Sequence, residues 1–247
     1  EVMGRDSKSF EYLLENAAIA TVGDVMDLED ENRILVKEGL KRIGATKNHG
    51  LRALIECTNL EKDRIRAYHV GFILGPCINA SGRLDTAKRA LELLRAKSKK
   101  EADVLAGDLK ALNDSRKEMT EKAVAQAKEQ VETSELQNDR VLVIYLPFCH
   151  ESLAGIVAGR VRESYYRPVF VLTDAKEGIK GSGRSIEAYH MFEELSKCKE
   201  LLTKFGGHKL AAGLSLEKEN LELFRRRINE SCTLTEEDMT EKVVIDM

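Results

Sequence analysis

The sequence predicts an α/β chain, and three observations carry that reading. Two continuous apolar runs, VLVIYL (141–146) and VFVLT (169–173), are rich in β-branched residues and suit buried strands; a helical pattern separates them. Helix-spaced apolar residues dominate the first hundred positions. Between about Lys99 and Thr133 there is no proline and one glycine, with a single narrow apolar stripe.

In chain order, Phe10, Leu13, Leu14 and Ala17 recur at helical spacing, with Ser7 or Ser9 as candidate caps. Ile34, Leu35, Leu40 and Ile43 predict a second helix, and Leu51, Leu54 and Ile55 a short third. A Gly75–Pro76 break precedes a loop, CINASGR, and then a short helix carrying Ala87, Ala90, Leu91 and Leu94. The polar stretch that follows marks its core side with Leu105, Leu109, Leu112, Met119, Ala123, Ala127 and Val131. Unbroken, it would be roughly 50 Å long; Asn113-Asp114-Ser115 is a candidate break. VLVIYL, a helix from about Leu153 to Tyr165, and VFVLT form a βαβ unit. GIKGSGRSI reads as a glycine-rich third strand. Helices near 188–196 and 198–204, the segment FGGHKLAAGLSL, and a helix marked by Leu221, Phe224 and Ile228 complete the chain. Domain boundaries are expected near 100 and 135.

Composition narrows the function classes. The longest apolar runs fall short of the ~20 residues that span a bilayer, so no membrane role is expected. The first residues lack a basic-then-apolar pattern, so no signal peptide is expected. Five scattered cysteines form no CxxC pair, which argues against a zinc site or disulfide framework and for reduced thiols in a cytoplasmic protein. The net charge of −3 hides asymmetry: Lys37–Arg52 holds five cations and one anion, whereas Glu217 to the C-terminus holds nine acids and five bases. Local basic surface, not the average, would meet an anionic ligand.

Four segments hold residues poorly suited to plain scaffold. Asp24 lies between Val22 and Val25 at the end of an apolar helix, where a carboxylate calls for a pairing or a hard divalent ion; a helix cap is the alternative. In PCINASGR (76–83), small residues permit close approach of a ligand, and Arg83 offers a planar fork of donors; an ordinary turn with a surface arginine fits equally. GSGRS (181–185) combines backbone N–H, hydroxyl and guanidinium donors for an anion, against a glycine-kinked edge strand. FGGHKLAAG (205–213) sets His208 after Gly206-Gly207 and beside Lys209. His150, at the end of the first buried strand, sits where α/β folds place ligands. There is no Walker loop, no GxGxxG and no GxSxG, and no cysteine has a nucleophile's setting apart from Cys77.

In this order, ATVGDVMDLEDENRILVKEGL, GPCINASGRLDTA, the long polar helix, HESLAGIVAGRVRESYYRPVFVL, KGSGRSI and LLTKFGGHKLAAGLSL resemble the RecJ family of single-strand-specific DNA exonucleases, in the DHH/DHHA1 phosphoesterase superfamily. The resemblance implies the helical end of a DHH domain (1–100), a long connecting helix (101–135), a DHHA1 domain with a mixed β-sheet flanked by helices (136–235), and the start of a further segment (236–247). It implies 5′ to 3′ hydrolysis of single-stranded DNA with Mn2+ or Mg2+, and DNA-repair proteins as candidate partners. Asp24 matches a metal-binding Asp. Gly206, Gly207 and His208 match the DHHA1 signature; Asn79 and Arg83, and Ser182, Arg184 and Ser185, match segments implied to contact phosphate. The family's Asp-x-Asp and Asp-His-His motifs are absent, which marks the chain as a fragment expected to be inactive alone. Cys77 stands where the family usually has Arg, Asp27 where it has Pro, and Ser152 where it has Gly; Cys77 would weaken contacts beside the Asn79–Arg83 loop. With 5% aromatics and no tryptophan, binding is expected to be backbone-directed and salt-sensitive rather than built on base stacking. Two other readings stand beside this one: a DHHA1-type phosphoesterase of short oligonucleotides, and a non-catalytic single-strand-binding module.

Overall fold

The computed structural model describes residues 13–241, so Ser7, Ser9 and Phe10 lie outside the described residues. The chain divides into two compact units at Arg116/Lys117.

The first unit is helical. α1 (Leu14–Gly23) packs on α2 (Asp30–Ile43), followed by α3 (His49–Cys57). Asn48 caps α3, its side chain accepting from the Leu51 N–H at 2.9 Å. Ala18, Ile43, Leu51, Leu54, Val70, Leu74 and Leu93 form the core. Ile34, expected on the buried side of α2, is exposed; Ile43 is buried as expected, together with Val36 and Gly39.

The Gly75–Pro76 break does not occur. α4 (Ala67–His69), a π turn (Val70–Leu74) and α5 (Gly75–Leu84) run on continuously, so the predicted loop CINASGR is helix. An α conformation ahead of proline is disfavoured by a clash with Cβ. Gly75 has none, and a Cβ there would come within 2.8 Å of the Val70 carbonyl. The wider π turn also eases the ring's approach to the carbonyl four residues back. α6 (Lys88–Leu94) buries Ala90 and Leu93 and exposes the expected Leu91.

α7 (Lys99–Thr133) is one unbroken helix through Asn113-Asp114-Ser115. Asn113 is tolerated because it is buried with its Oδ1 accepting from Arg116 Nε at 3.2 Å and a second Arg116 nitrogen at 3.0 Å. The buried line follows Ala102, Ala106, Leu109, Asn113, Thr120, Ala123, Ala127 and Val131, while Met119 is exposed.

The second unit is a five-stranded mixed sheet in the order β1-β2-β3-β5-β4. β1 (Leu142–Tyr145) and β2 (Val169–Asp174) are parallel and joined through α8 (Ala154–Tyr165), as the βαβ reading requires. β3 (Ile179–Arg184), β4 (Leu202–His208) and β5 (Ala211–Leu216) join antiparallel. GSGR is therefore central, not an edge strand. The helix expected over 198–204 is a 3-10 turn at Lys199–Leu201 leading into β4. One sheet face packs on α9 (Met191–Ser196) and α10 (Leu221–Glu230) through Phe170, Leu172, Ile179, Leu214, Leu216 and Phe224. The other takes α8 and the end of α7 through Leu142, Ile144, Val169, Val171, Val157 and Val161.

Among the described residues, no helix is long and apolar enough to cross a membrane.

Candidate functional site

Successive strand residues alternate between faces, and residues paired across strands share one. Val169 pairs with Arg184, Val171 with Ser182 and Thr173 with Lys180. These same β3 residues pair with Ala211, Gly213 and Ser215 of β5, which in turn meet His208, Gly206 and Lys204 of β4. The face beneath α8 therefore changes character across the sheet. It is apolar on β1 and β2, polar on β3, small on β5, and glycine, cation and imidazole on β4. Three rows run across it: Arg184–Ala211–His208, Ser182–Gly213–Gly206 and Lys180–Ser215–Lys204, spaced about 7 Å apart.

An open groove of about 440 Å³ lies on this face, lined by Ser152, Lys180, Lys204, Gly213 and Ser215 among others. Gly213 leaves part of its floor without a side chain, and Gly206 pairs with it on the neighbouring strand. A Cβ on Gly206 would meet nothing within 4 Å, and one on Gly213 only the Gly181 carbonyl at 3.9 Å. Gly207 differs: its Cβ would strike the Ala211 carbonyl oxygen at 2.3 Å, so this glycine serves the hairpin.

Arg184 folds back along the face, donating to Ser182 Oγ at 3.1 Å and the Gly183 carbonyl at 2.7 Å. α8 makes room for it at Gly155, where a Cβ would lie 2.7 Å from Arg184 Nη2 and 2.9 Å from Ser182 Oγ. Gly155 was missed; a glycine in the first turn of a helix facing a predicted arginine strand was the available signal. His208 is exposed, and its Nδ1 accepts from the Leu210 N–H at 3.3 Å. The ring proton therefore sits on Nε2, free to donate to an anion. His150 opens the turn into α8, its Nδ1 accepting from the Ser152 N–H at 3.3 Å. Beside it, Glu151 pairs with Lys180 at 2.8 Å, and that hydrogen bond holds the carboxyl below its ordinary range.

The strand register puts Ser182, Arg184, Gly206 and His208 on one sheet face, and His150 opens the turn whose Glu151 and Ser152 line the groove. Ser185 follows Arg184 just beyond β3, and the two line a separate small pocket; it is buried and its hydroxyl donates to the Tyr189 carbonyl at 2.7 Å. Lys180, Lys204 and Ser215 were missed because only strand register reveals them. Burial raises the Cys149 and Cys232 thiols and pushes Cys198 up to about 11, so none of these three is a ready nucleophile.

In the first unit, Asn79 and Arg83 lie four residues apart on α5, both exposed, and so share one helix face. Cys77 points the other way, into the core, and does not adjoin them as expected. Asp24 is not in apolar surroundings: it is exposed, at the C-cap of α1. The Val25 N–H reaches the Val22 carbonyl and the Met26 N–H the Thr21 carbonyl, a Schellman arrangement that puts residue 25 at positive φ. Valine pays about 1–2 kcal/mol there, and at 87% exposure it recovers nothing through packing. Val25→Gly should raise stability by about 0.5–1 kcal/mol after glycine's greater unfolded entropy is allowed for; unchanged or lower stability in urea titration would show that the turn is unstrained.

Among the described residues, no three His, Cys, Asp or Glu side chains are grouped to hold a metal. One exposed carboxylate does not make a two-ion centre, so these residues do not by themselves fit the divalent ions expected from the sequence.

Residues 138–233 match the DHHA1 domain family. The chain is 41% identical over 230 residues to the single-stranded-DNA-specific exonuclease RecJ of Salmonella typhimurium, covering 90% of this chain and 40% of that protein. It is 38% identical to the Bacillus subtilis protein of the same description, covering 95% and 30%. A crystal structure of RecJ from Thermus thermophilus in complex with Mg2+ superposes with a TM-score of 0.80 at 34% identity, over 89% of this chain and 34% of that one. An exonuclease RecJ bound to manganese gives 0.75 at 35% identity, over 88% and 54%. The chain thus spans about two fifths or less of the curated relatives cited.

Proposed function

We propose that this chain, RecJ-like along some nine tenths of its length and carrying a DHHA1 domain at residues 138–233, is the phosphate-gripping part of a single-strand-specific 5′ to 3′ DNA exonuclease. The observation that carries the reading is the shared sheet face. Arg184, Ser182 and His208 present charged and neutral donors beside a floor of bare glycine backbone, an arrangement that suits a phosphodiester chain and is indifferent to base identity. Phosphodiester cleavage needs the phosphate held in line while a nucleophile attacks. In this reading Arg184 and His208 Nε2 hold non-bridging oxygens and Ser182 orients the guanidinium; in the first unit, Asn79 and Arg83 on α5 are proposed phosphate contacts of their own. Mn2+ or Mg2+ would supply water activation in a longer protein; of that centre this chain offers Asp24. The setting is cytoplasmic, the substrate single-stranded DNA, and DNA-repair proteins are the partners in view. A proposed division follows: DHH-type helices over 1–100, the connecting helix over 101–135, the DHHA1 domain over 136–235, and 236–247 leading onward.

The test has two parts. The chain should bind single-stranded DNA yet release no mononucleotides with manganese; release above that of Asp24→Ala would overturn the assignment of an incomplete metal centre. His208→Ala should weaken binding by ~1–3 kcal/mol. Unchanged affinity in a salt-controlled titration would remove His208 from the grip.

A further inference from the structure

β4 contains an irregularity with a directional consequence. Leu202 pairs with Leu216 and Lys204 with Ser215, leaving Thr203 as the extra residue of a β-bulge. In a regular strand, residues 202 and 204 would share a face. The bulge separates them. Leu202 packs into the core beside α9 and α10, and Lys204 turns onto the opposite face with Gly206 and His208. The other lysine of this row is committed, Lys180 to Glu151. Lys204 is exposed and has no acidic partner among the described residues, and it lines the groove whose floor includes Gly213 and Ser215.

We infer that Lys204 is a second phosphate contact, taking an internal phosphate of the bound strand about 13 Å along the sheet from the Arg184–His208 row. This deepens the reading above and rests on it. The strand's terminal phosphate lies by Arg184, and its next phosphates pass over Gly206 and Gly213 toward Lys204. Glu151, at the same end of the groove, stays neutralised by Lys180 and so does not repel them.

The experiment measures binding of a 5′-phosphorylated, fluorescein-labelled oligo-dT to the full chain across a range of NaCl. The variants are Lys204→Gln, Lys204→Arg and, as a charge-matched control in the turn that precedes β4, Lys199→Gln. Lys204→Gln should weaken binding roughly three- to tenfold and lower the salt slope by about 0.7, the value for one lost phosphate contact on a single strand. Lys204→Arg should stay within about twofold of the parent, since the positive charge is kept. Competition by thymidine 5′-monophosphate, which reaches only the terminal site, should not change. Lys204→Gln indistinguishable from Lys199→Gln would overturn the inference, as would equal losses for the mononucleotide and the oligomer. If Arg184→Ala weakens the oligomer while Lys204→Gln does not, only the second contact fails. If the parent chain binds no oligo-dT at all, both readings fail.

Discussion

Arg184→Ala should weaken binding of 5′-phosphorylated single-stranded DNA about thirtyfold to a hundredfold, or roughly 2–3 kcal/mol, with little change in folding. Arg184 is half-buried at the end of a central strand, and its guanidinium donates within the face, to Ser182 and Gly183. Losing it removes the guanidinium that shares the sheet face with Ser182 and His208 but leaves the apolar packing of β3 on the other side, through Ile179, in place. Arg184→Lys should recover only part of the affinity, because an ammonium cannot match a phosphate edge with two parallel donors. Titration by fluorescence anisotropy, with circular dichroism as the folding control, decides the matter. Affinity within twofold of the parent would mean that the DNA is held elsewhere.

The second large effect separates two neighbouring glycines. Gly207→Ala should destabilise the second unit by about 2–4 kcal/mol. The new methyl would sit 2.3 Å from the Ala211 carbonyl oxygen and 2.6 Å from Ala212 Cα, and it would occupy φ +157°, which side chains rarely adopt. Both obstructing atoms are backbone of the paired strand, so relief requires opening the β4–β5 hairpin. Gly206→Ala should change stability by less than about 0.5 kcal/mol, since nothing lies within 4 Å of the added carbon. Its cost falls on the ligand: the methyl stands where a phosphodiester would approach bare backbone. Urea unfolding and DNA titration on the same two proteins should give opposite rankings. If Gly206→Ala binds DNA normally, the glycine floor is not a contact surface.

These outcomes also show which parts of the molecule were readable beforehand. The apolar runs of β1 and β2 and the proline-free stretch of α7 were legible because their periodicity spans enough residues to outvote local exceptions. β4 was not: the bulge at Thr203 breaks its alternation, and three of its seven residues are Gly206, Gly207 and His208, which have little strand propensity. The α4–α5 run was read as a break because Gly75-Pro76 normally ends helices; only the missing Cβ and the π turn reconcile it. At the site, Ser182, Arg184 and His208 could be named from residue chemistry. Ser185 spends its hydroxyl on the Tyr189 carbonyl, which residue chemistry alone does not reveal, and placing Cys77 beside Asn79 ignored helical phase. Lys204 needed the register of three strands, which no local pattern contains. Asp24 was set in apolar surroundings by its valine neighbours, with a helix cap as the alternative; it is the C-cap, and the turn that ends α1 carries Asp24 and Val25 outward.

The gap that Gly155 leaves in α8 has a consequence for how tightly the face can hold a ligand. Wedged into that gap and tethered to Ser182 and Gly183, the Arg184 side chain surrenders most of its rotational freedom when the protein folds. A ligand arriving later meets a donor already set in its bound orientation and is spared an ordering cost of about 0.5–1.5 kcal/mol. Filling the gap would leave the arginine's charge intact and return that cost to the encounter.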